Sequence, residues 1–215
     1  MSRRPPKPLR VAFDMDGVLA DLTSALRRHS AALFGDTGDV SEHRLMGRRR
    51  SLLWDHVRSL ENFWESLDEG TPGGVARLAA LVAEKQWEVI FLTTRPATAG
   101  SPVQTQTQRW LMGHGFFCPS VFVVRRSRGA IAAALEIDVV VDDRPENCLD
   151  VVSESSARAI LNWQRTTDVP GIALDRLRIE VVHGFNESLD RLVAIDSARH
   201  EPPKRRSRLM QAFGA

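Results

Sequence analysis

From residue 75 onward the chain alternates between two hydrophobic periods. Val75, Leu78, Ala79, Leu81 and Val82 recur at helical spacing, and residues 87–92 then form a short apolar run of strand length. The alternation continues with helices predicted over 102–114, 129–135, 147–154 and 186–195. Strands are predicted over 121–124, 139–141, 159–162 and 179–182. Short strands separated by single helices point to parallel pairing, because a parallel connection needs a crossover and a helix supplies it. The predicted fold is therefore α/β: a three-layer, Rossmann-like parallel sheet with helices on both faces.

The first part of the chain adds one strand and an insertion. Residues 10–13 read as a buried strand, 19–34 as a helix, 35–40 as a glycine-containing break and 41–67 as helical in pieces. Thr71, Pro72, Gly73 and Gly74 form a turn that opens the next helix. The expected organisation is a core of residues 11–18 and 69–198, with a small helical cap of residues 19–68 inserted after the first strand. Residues 1–10 read as a basic arm and 199–215 as a basic, disordered tail.

Charge supports that division. The net charge of +2 hides a body with 20 basic and 26 acidic residues, out of 29 and 27 in the chain. The excess positive charge sits at the ends, in Arg3, Arg4, Lys7 and Arg10, and in Arg199, Lys204, Arg205, Arg206 and Arg208. A nucleic-acid-binding domain carries such charge on its body, so a nucleic-acid partner is not the expectation. No apolar run of about 18 residues predicts a membrane span. Cys118 and Cys148 form neither a CxxC pair nor a disulfide framework. A cytoplasmic protein is expected, and the oligomeric state is not legible.

In a parallel α/β sheet, ligands bind beyond the carboxyl ends of the strands. The chemically capable residues of this chain lie at those ends. Asp14 and Asp16 follow the first strand in VAFDMDGVLAD, Thr93 ends VIFLTTR, and Asp142 and Asp143 end VVVDDRPEN. Clustered carboxylates repel one another unless a cation neutralises them. Oxygen-only donors without a histidine or cysteine pattern favour Mg²⁺, which works most often with substrate phosphates. A carboxylate held near phosphorus can attack it, and a second acid two residues on can move the proton. Thr93 can donate to a phosphoryl oxygen, and Gly17 allows close backbone approach.

These motifs, in this order, resemble the haloacid dehalogenase superfamily: DMDGVLAD, VIFLTTR, the basic residue before the helix in SRGAIAAAL, and VVVDDRPEN. The resemblance spans roughly residues 11–193. It implies that Asp14 is the nucleophile, Asp16 the general acid/base with its main-chain carbonyl on Mg²⁺, and Thr93 a phosphate-binding hydroxyl. It also implies that Asp142 and Asp143 complete the metal set, leaving open which coordinates directly. The family carries lysine before the third-motif helix. Here Arg128 fits that position best, with Arg125 or Arg126 as alternatives. Arginine supplies the charge in a planar fork rather than as a point. Asp16 favours phosphoryl transfer, and specifically hydrolysis, over dehalogenation.

DMDGVLAD, NFWESL before the PG turn, and DDRPEN together resemble the 5′(3′)-deoxyribonucleotidase group. That resemblance implies a nucleoside monophosphate substrate. Gly17, Thr94, Arg95, Phe63 and Trp64 are the candidate substrate contacts, the two aromatics for stacking on a base or for packing the cap. Arg95 and Arg144 either brace loops or touch phosphate. Arg48, Arg49 and Arg50 either form a solvated face or attract anionic substrate. Asp21 caps the first helix or lines the substrate mouth. Other small phosphates, a polynucleotide end, or a catalytically weak binding protein on the same fold are the alternatives.

Overall fold

The computed structural model describes residues 7–35, 47–164 and 177–200. Part of the predicted break at 35–40, the start of the segment at 41–67 and most of both terminal extensions lie outside them. The described elements run β1 (Arg10–Asp14), α1 (Leu22–Phe34), α2 (Arg48–Ser59), a 3-10 turn at Phe63–Glu65, α3 (Gly74–Lys85) and β2 (Glu88–Thr93). They continue as α4 (Val103–Gly113), β3 (Ser120–Val123), α5 (Arg128–Ala134), β4 (Val139–Asp142), α6 (Pro145–Glu154), β5 (Arg158–Asn162), β6 (Ile179–Val182) and α7 (Phe185–His200).

All six strands are parallel, in the order β3-β2-β1-β4-β5-β6. The apolar runs of β1, β2 and β4 occupy the middle because a strand covered on both faces cannot alternate with polar residues. Successive side chains still divide between the faces. Val11 and Phe13 of β1 join Phe91, Trp110, Phe185 and Leu189 on one side of the sheet. Ala12 joins Leu92, Val140, Leu161, Cys148 and Val151 on the other. On that second side α5 and α6 lie close together, and a Cβ at Gly129 would collide with the Asp150 carbonyl oxygen.

The strand order makes β1 central. Its neighbours are β2, aligned with Asp14 opposite Leu92, and β4, aligned with Phe13 opposite Val141. The order turns back at β1, since β2 and β3 run one way from it and β4 to β6 the other. The crevice required for ligand binding in such sheets therefore opens at Asp14. α1, α2 and the 3-10 turn lie between β1 and β2 in the sequence, and side chains from all three share a cavity with the strand ends.

Two expected boundaries need correction. Leu9 is buried in the core, and the Arg10 main-chain N–H donates to Asp138 Oδ2 at 2.9 Å, so residues 9 and 10 belong to the sheet rather than to an arm. The last helix continues past Ile195 to His200, with Ile195 and Asp196 buried and Arg199 paired with Asp138 at 3.4 Å. The tail therefore does not begin at 199. Among the described residues no helix is long and apolar enough to cross a membrane.

Candidate active site

One cavity of about 690 Å³ lies over the carboxyl ends of β1, β2 and β4. Asp14, Asp16, Gly17, Thr93, Thr94, Arg95, Arg128 and Asp143 line it from below. Leu22, Leu26, Arg50, Trp54, Arg58 and Trp64 line it from the helical insertion.

Asp14 is the last residue of β1, and its side chain is nearly enclosed. Arg128, the first residue of α5, donates from Nη2 to Asp14 Oδ1 at 2.5 Å, and its Nε lies 3.6 Å from Asp142 Oδ2. The guanidinium is buried, and Nη1 has no hydrogen-bond partner. A buried donor left unpaired costs about 1–3 kcal/mol, so its position beside the cavity fits an anionic ligand oxygen. Ser127 sets the start of α5 by accepting from the Ala130 N–H at 3.0 Å. The local helix cap thus aims Arg128 across the sheet. Arg126 and Arg128 line the cavity; Arg125 does not.

The two carboxylates after β4 face different surroundings. Asp142 is fully buried and accepts from the Arg144 N–H at 2.9 Å and from Asn147 Nδ2 at 2.9 and 3.0 Å. Asp143 lines the cavity and Asp142 does not. Gly17 adopts φ +89°, and a Cβ there would collide with Asp143 Oδ2. Glycine therefore lets the β1 loop and the Asp143 carboxylate come together.

Burial and mutual repulsion govern the proton affinities. The Asp14 carboxyl is raised well above the usual range, first by desolvation and then by Asp142, against the lowering effect of Arg128. Asp142 is raised by burial, opposed by Arg128. Asp143 is pushed up to about 7 by burial and by Asp142. A further cation would reverse these shifts.

The donor set is all oxygen, which fits a hard divalent ion such as Mg²⁺. Among the described residues, no group of three or more His, Cys, Asp or Glu side chains is drawn together as a ready-made metal site. Asp16 is turned into Arg95, and Asp14 into Arg128. A metal held here would draw on Asp14 and Asp143 together with main-chain oxygen.

Arg95 is fully engaged. Its Nε and Nη2 reach Asp16 at 2.6–3.1 Å, Nη1 donates to Thr107 Oγ1 at 3.0 Å, and the guanidinium lies 4.7 Å from the centre of the Trp64 ring. Its position favours bracing of Asp16 over direct substrate contact. Thr93 is buried, with Oγ1 accepting from the Arg95 N–H at 3.2 Å, which leaves its own O–H to donate. Thr94 is exposed at the rim.

The aromatic pair divides. Trp64 lines the cavity but is buried, with Nε1 donating to the Pro96 carbonyl at 3.0 Å. Phe63 does not line the cavity and packs edge-on against Trp64 and His29, so the expectation that it contacts substrate is corrected: it packs the insertion. Trp54, half-buried on α2, is the more accessible aromatic lining the cavity. Sequence reasoning missed it, although its place beside Leu53 and Val57 on the inward face of α2 was a usable signal. Asn147 was also missed. Asp21 is not among the lining residues and accepts from the Ser24 N–H at 2.9 Å as the N-cap of α1.

Residues 7–167 match the family model described as 5′ nucleotidase, deoxy (pyrimidine), cytosolic type C protein (NT5C). A mouse protein, the mitochondrial 5′(3′)-deoxyribonucleotidase, is 30% identical over 161 residues, 67% of this chain and 69% of the mouse protein. Among solved structures, a putative β-phosphoglucomutase from Thermotoga maritima superposes with a TM-score of 0.56 at 22% identity, covering 87% of this chain and 99% of that one. A haloacid dehalogenase-like hydrolase from Xanthomonas campestris superposes with a TM-score of 0.51 at 12% identity, covering 89% and 97%.

Proposed function

The chain belongs to the NT5C family of haloacid dehalogenase-type phosphohydrolases, and from that membership we propose that it is a Mg²⁺-dependent phosphatase acting on a nucleoside (deoxy)monophosphate. The observation that supports the reading best is the shared cavity. There Asp14, Thr93, Asp143 and the unpartnered Nη1 of Arg128 converge beneath an apolar and aromatic wall.

In this reading an Asp14 carboxylate oxygen attacks phosphorus, and the ester P–O bond breaks. Asp16 gives its proton to the departing oxygen, so the nucleoside leaves as an alcohol. Water then attacks the aspartyl-phosphate while Asp16 takes a proton from it. The P–O bond to Asp14 breaks, releasing phosphate and restoring the carboxylate. Arg128 and the Thr93 hydroxyl hold the phosphoryl oxygens where negative charge develops. Arg95 positions Asp16. Asp14, Asp143 and the main-chain oxygen of Asp16 would hold Mg²⁺, which would supply charge neutralisation for the phosphate and the carboxylates. Asp142 acts behind the cavity by fixing Arg128, and Trp54 offers its face to the base. The helical insertion, about residues 19–68, serves as the specificity cap.

Phosphate release from mononucleotides, sugar phosphates and 3′-phosphorylated oligonucleotides, with Mg²⁺ and with EDTA, tests this reading. Metal-dependent turnover of mononucleotides above the other two is expected. Preference for sugar phosphates or oligonucleotide ends would overturn the substrate assignment.

A further inference from the structure

The cavity holds more positive charge than one phosphate monoester needs. Arg95 and Arg128 are buried against Asp16, and against Asp14 with Asp142. Arg58 pairs with Asp55 at 2.8 Å. Arg50, which also lines the cavity, is engaged by other groups, which leaves Arg126 and Arg144. Arg126 is exposed, lines the cavity and makes no ion pair among the described residues. Arg144 also lines it, is 57% exposed, and pairs loosely with Glu146, itself 75% exposed, at 3.9 Å, while its charge also acts on Asp142 and Asp143.

Arg144 is fixed at its main chain, and both arginine side chains are exposed at the cavity. Arg126 stands two residues before Arg128, whose guanidinium is locked to Asp14. The Arg144 main-chain N–H is bonded to buried Asp142. The root of Arg144 is therefore positioned by a contact that builds the phosphate site, and Arg126 is close in sequence to another. The acidic body of the protein does not account for two such cations at one rim. A second anion bound there would be gripped by charge-assisted hydrogen bonds.

Resting on the phosphatase reading above, we propose that the preferred substrate carries a second phosphoryl group, held at the rim by Arg126 and Arg144 while the first is hydrolysed at Asp14. The class is a small bisphosphate, for which a nucleoside 3′,5′-bisphosphate is the probe. The cavity, at about 690 Å³, falls within the range of small-molecule sites.

The test compares kcat/KM for a deoxynucleoside 5′-monophosphate and the matching 3′,5′-bisphosphate, with Mg²⁺, in wild type and in the Arg126→Ala/Arg144→Ala double variant. Wild type should favour the bisphosphate by about tenfold or more, mainly through KM, and the double variant should bring that ratio close to one. Equal kcat/KM in wild type overturns the proposal. So does a ratio unchanged by the double substitution, which would mark the arginines as general attractors of anions. If neither ester is hydrolysed, the phosphatase reading falls and calorimetric binding of the same two compounds decides the subsite. Tighter binding of the bisphosphate that disappears in the double variant upholds it, and equal binding overturns it.

Discussion

The floor and the roof of the cavity are built by different means. The floor joins residues far apart in the chain: Arg128 to Asp14 and Asp142, Arg95 to Asp16 and Thr107, Asn147 to Asp142. Arg95, Arg128 and Asp142 are buried, and each reaches more than one partner residue. The roof relies on a few local contacts. α2 buries only Leu53 and Val57 of its twelve residues. It meets α1 through the His29–His56 contact at 3.2 Å, and Trp54 lies 6.5 Å from Trp64 ring to ring. The floor is over-determined, so its chemistry tolerates little change. The roof is lightly held, so its cavity-facing residues can vary without loss of the fold.

The largest effect is expected in the floor. Asp14→Asn should lower phosphate release by on the order of 10⁴-fold while leaving the melting temperature level or higher, because a buried, repelled carboxylate is removed. Activity within tenfold of wild type would end the nucleophile assignment. Arg128→Ala should destabilise the protein by about 3–5 kcal/mol in urea unfolding, since Asp14 and Asp142 lose their shared counter-charge. Arg128→Lys should recover a substantial part of the activity lost in the alanine variant. A lysine variant as inactive as the alanine one would show that the fork matters and not only the charge.

The two roof tryptophans sharpen the contrast. Trp64→Ala should cost about 3–5 kcal/mol, as expected for a fully buried ring. Trp54→Ala should instead raise KM for mononucleotides by about tenfold with little change in kcat or stability. Equal stability losses would erase the distinction between packing and recognition.

The smallest effect concerns acid. Burial, His56 and Arg28 lower the His29 proton affinity below its ordinary 6.5. The unfolded chain then binds the proton more readily, so this contribution is intact above about pH 6.5 and is lost as pH falls through the lower, folded value. Amide exchange should quicken in α1 and α2 below pH 6.5 while β1 and β4 stay protected, and His29→Gln should flatten that response. Uniform quickening across the sheet would show that the roof is not a separate unit.

Legibility follows the same division. The strand ends could be read because parallel pairing brings carboxyl termini to one edge, whatever the details of packing. Arg128 could be read as the best fit, ahead of Arg125 and Arg126, because the family resemblance puts a basic residue before that helix, and Asp21 could be read as a cap from its place before α1. The separate surroundings of Asp142 and Asp143 could not be read, since both follow the same apolar run and only Asn147 and the Arg144 N–H distinguish them. Nor could Phe63 and Trp64 be ranked. The 3-10 turn begins at Asn62 with φ 51°, where no regular period predicts which ring points inward. The Arg95–Asp16 clasp depends on the reach of a long side chain, which a one-dimensional pattern does not record.

The central place of β1 has a consequence in time. β1 pairs on one side with β2 and on the other with β4, both later in the chain, and the first β4 residue in the ladder is Val139. Loop-closure entropy must be overcome before either ladder forms, which slows folding of such topologies. During synthesis the apolar Val11–Phe13 segment therefore lacks one of its two flanking strands until β4 has been made, and meanwhile it is exposed to misassociation. Asp14 precedes both β2 and β4 in the chain, yet its site can be completed only once β4 has been synthesised.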